Sequence, residues 1–409
     1  MNSIAKPIAI ETGTDNRKRT IKDWIAVSAK QNVRQYTMFI ALLLIWVMFA
    51  ILTDGIFITS RNLSNLFLQM VTIGFLACGM VLVIVATHID LSVGSVAATL
   101  GATAAYLMDK LDVNPWLAIL ITLIAGLLIG CWHGYWISYR GVPAFIVTLA
   151  SMTAFKGVTL AITKGATIGE FPSSFKAIGQ GYVPKLFFHD AKFNDTSVII
   201  GLLLIIGYIV MESKKRASRK KYGFDVPPIQ IQIIKLILVS ALIALACSIM
   251  ISYMGIPYAV LLLLGVVILF TFIANKTTFG RNVYASGGNK EAARLSGINI
   301  KRVGFSIFAL MGILNAIAAI VFTARLNAAT PSAGNLFELD AVAACYIGGT
   351  SPLGGVGTIY GAIIGALIMA SLDNGMSLMN LPIMFQYIIK GMILLSAVWI
   401  DFATKKKAL

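Results

Sequence analysis

Charge is what this 409-residue sequence has least of: Asp, Glu, Lys and Arg make up only 12% of it, against 58% apolar residues. A soluble domain carries about twice that share of charge, so the composition excludes a water-soluble chain and implies a membrane protein. Cysteine is equally sparse. Cys78, Cys131, Cys247 and Cys345 each lie in an apolar stretch, and none belongs to a CxxC pair or a Cys/His cluster. That pattern indicates neither a disulfide frame nor a zinc site and leaves a role in helix packing. His88, His133 and His189 are scattered without a partner at metal or catalytic spacing and are expected at membrane interfaces. No Ser-His-Asp arrangement or carboxylate pair can be argued, so enzyme chemistry in the membrane has no site. A GxxxxGK[ST] phosphate loop is missing too, which argues against ATP binding of the usual kind. Up to Arg34 the chain is polar and lacks the apolar core and cleavage site of a secretory signal; it reads as a cytosolic tail.

What the sequence has in quantity is long apolar runs. A bilayer core about 30 Å thick needs roughly 20 apolar residues per helical crossing, and only helices are expected, because lipid offers no partner to a backbone N–H or C=O. Twelve runs fit, at about 36–53, 66–87, 92–108, 115–137, 142–163, 196–211, 230–252, 257–275, 304–325, 337–349, 354–371 and 382–400. Pro115, Pro143, Pro257 and Pro382 sit at or near run starts, where a missing N–H costs nothing. The formal net charge of +16, from 33 Lys and Arg against 17 Asp and Glu, falls in short loops between the runs. This pattern reports membrane orientation, not nucleic-acid binding. With the N-terminus in the cytosol, the inner loops (1–35, 138–141, 212–229, 276–303, 401–409) hold 23 Lys and Arg and the outer loops seven, Arg325 at a run's edge being counted outside. Both termini are therefore expected inside. The expected fold is an all-α polytopic membrane protein of 10–12 transmembrane helices.

Runs 92–108 and 337–349 are short and adjoin Gly/Ser-rich stretches, Ser92-Val-Gly94-Ser95 and Leu353-Gly-Gly-Val-Gly357. Broken or half helices near 92–108 and 337–371 are expected, since half helices place irregular backbone beside a transport path. Leu91-Ser-Val-Gly-Ser and Leu353-Gly-Gly-Val-Gly are weakly alike, through an internal repeat or through chance between Gly-rich segments. In the inner loop 276–303, Asn289 is placed as an N-cap, Glu291 in a first turn and Gly297 as a left-handed helix end. A helix of about two turns is too short to persist alone. It needs a partner surface, and Ala292 and Ala293 keep one side slim enough to approach one.

Glu291-Ala-Ala followed by Gly297 resembles the coupling loop of bacterial ABC importer permeases. The run Tyr284-Ala-Ser-Gly-Gly-Asn-Lys-Glu-Ala-Ala-Arg-Leu-Ser-Gly-Ile resembles the ribose, galactoside and xylose branch of that superfamily, as do Ile89-Asp-Leu-Ser-Val-Gly-Ser95 and Gly348-Gly-Thr-Ser-Pro-Leu-Gly-Gly-Val-Gly-Thr358. Met369-Ala-Ser-Leu-Asp-Asn-Gly-Met-Ser377 and an added pair of runs at 196–211 and 230–252 bring it nearest the xylose permeases; the ribose type lacks that pair. The resemblance spans about Asn62 to Asp401. It implies a monosaccharide importer subunit, D-xylose first and ribose or galactose next, in the bacterial inner membrane. Residues 1–35 would be a tail and 36–409 one permease domain working by alternating access. The implied partners are two copies of an ATP-binding subunit that hydrolyses the ATP, a periplasmic sugar-binding protein, and a second permease copy forming a homodimer. No cofactor bound by this chain, no metal and no nucleic acid is implied.

The coupling residues implied are Asn289, Glu291, Ala292, Ala293, Arg294 and Gly297. Path candidates are Asp90, Ser92, Gly94, Asn374 and Lys390. Ionisable groups inside spans are functional candidates by default, yet each has a structural reading. Asp90 either caps a helix opening at Ser92 or meets sugar hydroxyls. Lys390 either pairs with Asp340 or Asp373 or contacts sugar, and Lys156 can extend to the interface. Trp116, Trp132, Trp136 and Trp399 near run ends suit the headgroup zone. An ion-coupled secondary sugar transporter is the alternative. It would need carboxylates deep in the membrane, whereas most Asp and Glu lie at run edges. A topology reporter fused within 212–229 is expected to read cytosolic; a periplasmic reading would overturn the twelve-run map.

Overall fold

The computed structural model describes residues 33–187, 193–224 and 226–406. His189 and the tail up to residue 32 lie outside the described residues. The helices are α1 (Val33–Leu52), α2 (Ser60–Val85), α3 (Val93–Asp109), α4 (Pro115–Gly134, continued by a π turn to Tyr139), α5 (Ala144–Thr163), α6 (Ser173–Gln180), α7 (Asp195–Lys221) and α8 (Ile229–Ile251). They continue as α9 (Tyr258–Lys276), α10 (Thr278–Gly288), α11 (Lys290–Leu295), α12 (Ile300–Leu326), α13 (Phe337–Ile347), α14 (Ile359–Leu378) and α15 (Ile383–Lys406). Two-residue strands β1 (Ile168–Gly169) and β2 (Ala328–Ala329) pair antiparallel. Helices α2, α4 with its π turn, α5, α7, α8, α9, α12 and α14 are long and apolar enough to cross a membrane, and α1 and α15 carry shorter apolar stretches, Thr37–Leu52 and Ile383–Trp399.

The centre is α2. Every residue from Met70 to Val85 is buried, with α9, α12, α13 and α14 packed around it. It starts at Ser60, six residues before the apolar run does, because Thr59 caps it by accepting from Asn62 N–H at 3.4 Å. Its first turns carry Asn62, Asn65 and Gln69, polar residues facing protein instead of lipid. Likewise α1 begins at Val33, inside the stretch read as tail, and α14 covers Ile359–Leu378 instead of 354–371. The inner loop 276–303 is largely the two helices α10 and α11. Asn114 Oδ1 accepts from Trp116 N–H at 3.0 Å to open α4 behind Pro115.

Helix α4 lies along α12 through Gly126, Gly130 and Gly134, whose missing Cβ atoms would strike the backbone around Gly312, Phe308 and Phe305. Small residues that let two backbones touch are the usual means of helix association in lipid, where no hydrophobic drive exists between helices. The hairpin α7–α8 sits at the periphery, with mainly the α7–α8 contact and a lesser one between α8 and α2.

Two helices are broken. Gly101 of α3 sits against Ala319 and Thr323 of α12. Gly94, seven residues nearer the start of α3, lies about 10 Å deeper at a rise of 1.5 Å per residue, near the middle of α12. There it meets Gly334 and Glu338, at the opening of α13. Thus α3 runs outward from mid-depth and α13 inward, their N-termini together. A Cβ on either glycine would strike the other's backbone carbonyl, and Gly334 has φ +71° besides. The two sequence stretches that look alike are not equivalent elements: 91–95 opens α3, whereas 353–357 is a turn before α14, and the partner of Gly94 is Gly334.

Replacing Gly94 with valine is expected to cost about 1–3 kcal/mol by overpacking and to lower the thermal stability of the detergent-solubilised protein. Gly157→Ala, where an added Cβ meets nothing within 4 Å, is expected to be neutral or stabilising. Equal behaviour of the two variants in a melting assay would contradict the crossing.

Candidate functional site

Two regions carry the candidate residues. The first is the inner segment. Asn289 Oδ1 accepts from Ala292 N–H at 2.9 Å, Glu291 lies in the first turn of α11, and Gly297 has φ +82°. Ile298 N–H donates to Ala293 O at 3.1 Å and Gly297 N–H to Arg294 O at 3.0 Å, a Schellman ending. Glu291 pairs with Arg294 at 2.9 Å, both well exposed, worth a few tenths of a kcal/mol at most on such a surface. Ala293 turns inward and is buried, while Ala292 points out beside Leu295, which is 82% exposed. Leu295 adds an exposed apolar side chain to this otherwise polar outer face of α11.

Helix α10 ties this segment to the core. Gly287 approaches so closely that a Cβ would strike Val85 O, at the inner end of α2. Gly355 N–H donates to the same Val85 O at 2.9 Å, and Tyr284 Oη donates to Gly357 O at 2.8 Å. Burial pushes the Tyr284 phenol above its usual range. Helix α10 and the Gly348–Thr358 stretch thus meet in one knot at the end of the central helix.

The second region is polar and lies among α2, α12, α13 and α14. Lys390 Nζ sits 3.0 Å from Asp340 Oδ2 and 2.9 Å from Asp373 Oδ1, so it meets both carboxylates named as alternatives. A cavity of about 270 Å³ is lined by Gln69, Thr72, Phe322, Arg325, Asp340 and Asp373, among others. A second, of about 260 Å³, shares Gln69 and Arg325 and reaches Gln180 and Tyr182 at the end of α6. Gln180 Nε2 donates to Arg325 O at 2.9 Å.

The other path candidates behave as structural groups. Asp90 Oδ1 accepts from Ser92 N–H at 2.9 Å and from Ser92 Oγ at 2.6 Å, closing the turn into α3, and both residues are fully buried. Gly94 is the crossing point with Gly334. Asn374 and Asn62 bond amide to amide at 2.8 and 3.0 Å, which locks α14 to α2. None of these four lines either cavity. His133 is a correction: it is 2% exposed, held inside because its helix faces α12 through glycines, with its ring 6.5 Å from Phe308. Trp116, Trp132 and Trp399 are exposed, as headgroup anchors would be, and Lys156 is exposed on α5.

Gln69, Thr72 and Arg325 were not read as site residues. Yet Asn62, Asn65, Gln69 and Thr72 recur at steps of three and four, which puts them on one helix face. Arg325 was assigned to an outer loop because it ends its apolar run.

Bundled spanning helices, two broken helices meeting at mid-depth and a polar track between them define a polytopic transport subunit of the inner membrane. The chain belongs to the family described as branched-chain amino acid transport system / permease component, whose model matches residues 62–398. It is 45% identical to the xylose transport system permease protein XylH of Escherichia coli strain K12, covering 92% of this chain and 94% of that one. Against XylH of Haemophilus influenzae it is 44% identical over 92% of this chain and 98% of the relative. Against the ribose import permease protein RbsC of Bacillus subtilis it is 33% identical over 89% and 91%. No solved structure matches.

Lys390→Met leaves two carboxylates without their cation, and removing one partner of a buried ion pair costs about 3–5 kcal/mol. A marked drop in melting temperature is expected, partly recovered by adding Asp340→Asn. A neutral single variant in the same melting assay would show that the triad contributes nothing.

Proposed function

We propose that the chain is the membrane-spanning subunit of an ATP-driven importer of D-xylose, working with two copies of an ATP-binding subunit, a periplasmic sugar-binding protein and a second copy of itself. The observation that carries the proposal is the inner segment. Helix α11 is capped at both ends, shows Glu291, Ala292, Arg294 and Leu295 to the cytosol, and hangs on α10. Because α10 is pinned to Val85 and to the 350–357 turn, a pull on α11 is delivered to the end of the buried central helix and to the start of α14. An isolated six-residue helix has no stability of its own; a helix held at both ends over a packed knot serves as a contact for another protein. The identity to two xylose permeases along nearly their whole length supports the sugar, and the ribose relative supports the wider monosaccharide class. ATP would be hydrolysed by the partner, and this chain supplies the route and the lever.

In proteoliposomes carrying the chain with its ATP-binding and sugar-binding partners, D-xylose uptake is expected to require ATP and to persist when ion gradients are collapsed. Glu291→Lys and Gly297→Leu are expected to lower ATP-driven uptake at least tenfold, while the altered chain still inserts and purifies as a monodisperse species. Xylose accumulation by the chain alone, driven by an ion gradient, would sink the proposal in favour of an ion-coupled carrier.

A further inference from the structure

We infer that the permease itself holds a binding site for one neutral monosaccharide, in the cavity bounded by Gln69, Thr72, Phe322, Arg325, Asp340 and Asp373; this rests on the sugar-importer reading above. The residues converge from four helices at steps of three: Gln69 and Thr72 on α2, Phe322 and Arg325 on α12, Phe337 and Asp340 on α13, Ala370 and Asp373 on α14. Each helix therefore turns one face toward the same space.

The chemistry suits a polyhydroxylated, uncharged solute. Arg325 and Lys390 supply two formal positive charges and Asp340 and Asp373 two negative ones, so an anion or a cation gains no net attraction. Four polar atoms of the wall residues make no hydrogen bond, Thr72 Oγ1, Asp340 Oδ1, Arg325 Nε and Asp373 Oδ1, the last held only by its ion pair with Lys390 at 2.9 Å. Thr72 is 2% exposed and Asp340 4%. Buried polar atoms are ordinarily bonded, and here they gather around one cavity that a ligand could fill. A hydroxyl both donates and accepts, so one sugar can satisfy a carboxylate oxygen, a threonine hydroxyl and a guanidinium N–H together. Phe322 and Phe337, edge to face with centroids 5.1 Å apart, supply an apolar wall for the C–H face of a pyranose. The volume, about 270 Å³, lies below the range of roughly 300–1,000 Å³ typical of drug-sized ligands and suits a single ring. Gln69 and Arg325 line both this space and the second cavity, which extends to α6 on the side that the distribution of Lys and Arg places outside. Sugar released there would meet Asn65, Gln69, Gln180 and Arg325, polar side chains of the second cavity's wall.

The test uses the whole importer in proteoliposomes. Gln69→Ala and Arg325→Gln are expected to cut D-xylose transported per ATP hydrolysed at least fivefold. Crosslinking of the unaltered complex with a diazirine-bearing xylose is expected to label peptides containing residues 65–73 or 322–340. Transport per ATP unchanged in both variants, or label confined to other helices, would overturn the inference even if a variant fails to assemble. Absence of ATP-dependent uptake by the unaltered complex would instead overturn the importer reading beneath it.

Discussion

Hydrocarbon has no partner for a peptide N–H or C=O, so a chain that leaves helical form at mid-depth must bury the interruption inside itself. Here two interruptions come from opposite sides, residues 86–92 from the inner end of α2 and 327–336 from the outer end of α12, and they meet at Gly94 and Gly334. Only glycine permits that approach, because a Cβ on either residue would occupy the other's carbonyl oxygen. The meeting brings together two helix N-termini, each carrying a partial positive charge. Carboxylates stand there to offset them: Asp90 closes the turn into α3, and Glu338 lies in the first turn of α13 with Oε2 beside Gly94. The broken helices are held together by backbone contact and by charge at the helix ends.

That arrangement sets where α13 starts, and so where Asp340 falls. Asp340 is one turn inside the half helix, at a depth from which Lys390 of α15 can reach both it and Asp373 of α14. An isolated carboxylate in the bilayer costs about 2.5–3.5 kcal/mol or more. The shared lysine makes the acids tolerable there. Arg325 itself lies against the Phe322 ring, 5.7 Å from its centroid, a cation–π placement that holds the guanidinium at the cavity wall.

Helix α2 joins the polar cavity to the inner knot. From Gln69, in the cavity wall, to Val85, in the knot, is sixteen residues, or about 24 Å of helix. Nearly all of that length is buried, so α2 is a rod packed on every side. A displacement of α10 at one end has few ways to dissipate before it reaches the other, since close-packed interiors transmit strain.

Much of this was legible in the linear chain. Apolar runs marked the helices because burial in lipid is imposed by composition alone. Asn289, Glu291 and Gly297 marked α11 because capping depends on neighbours within a few residues. Lys390 was matched to its two acids because an intramembrane cation demands a counter-charge. The extent of α2 and its polar face were decided only in three dimensions, for Asn62 and Asn65 precede the apolar run at 66–87 while Gln69 and Thr72 lie inside it. The burial of His133 followed from glycines on α4 that bring α12 close. The placement of Arg325 followed from the packing of α6 against its backbone, with Gln180 Nε2 donating to Arg325 O at 2.9 Å. Asp90 closes a turn because Ser92 lies within its reach. The sequence by itself determined what is local or solvent-imposed: helices, orientation and caps. The tertiary structure alone decided which polar groups share a cavity, because that depends on contacts between residues hundreds of positions apart.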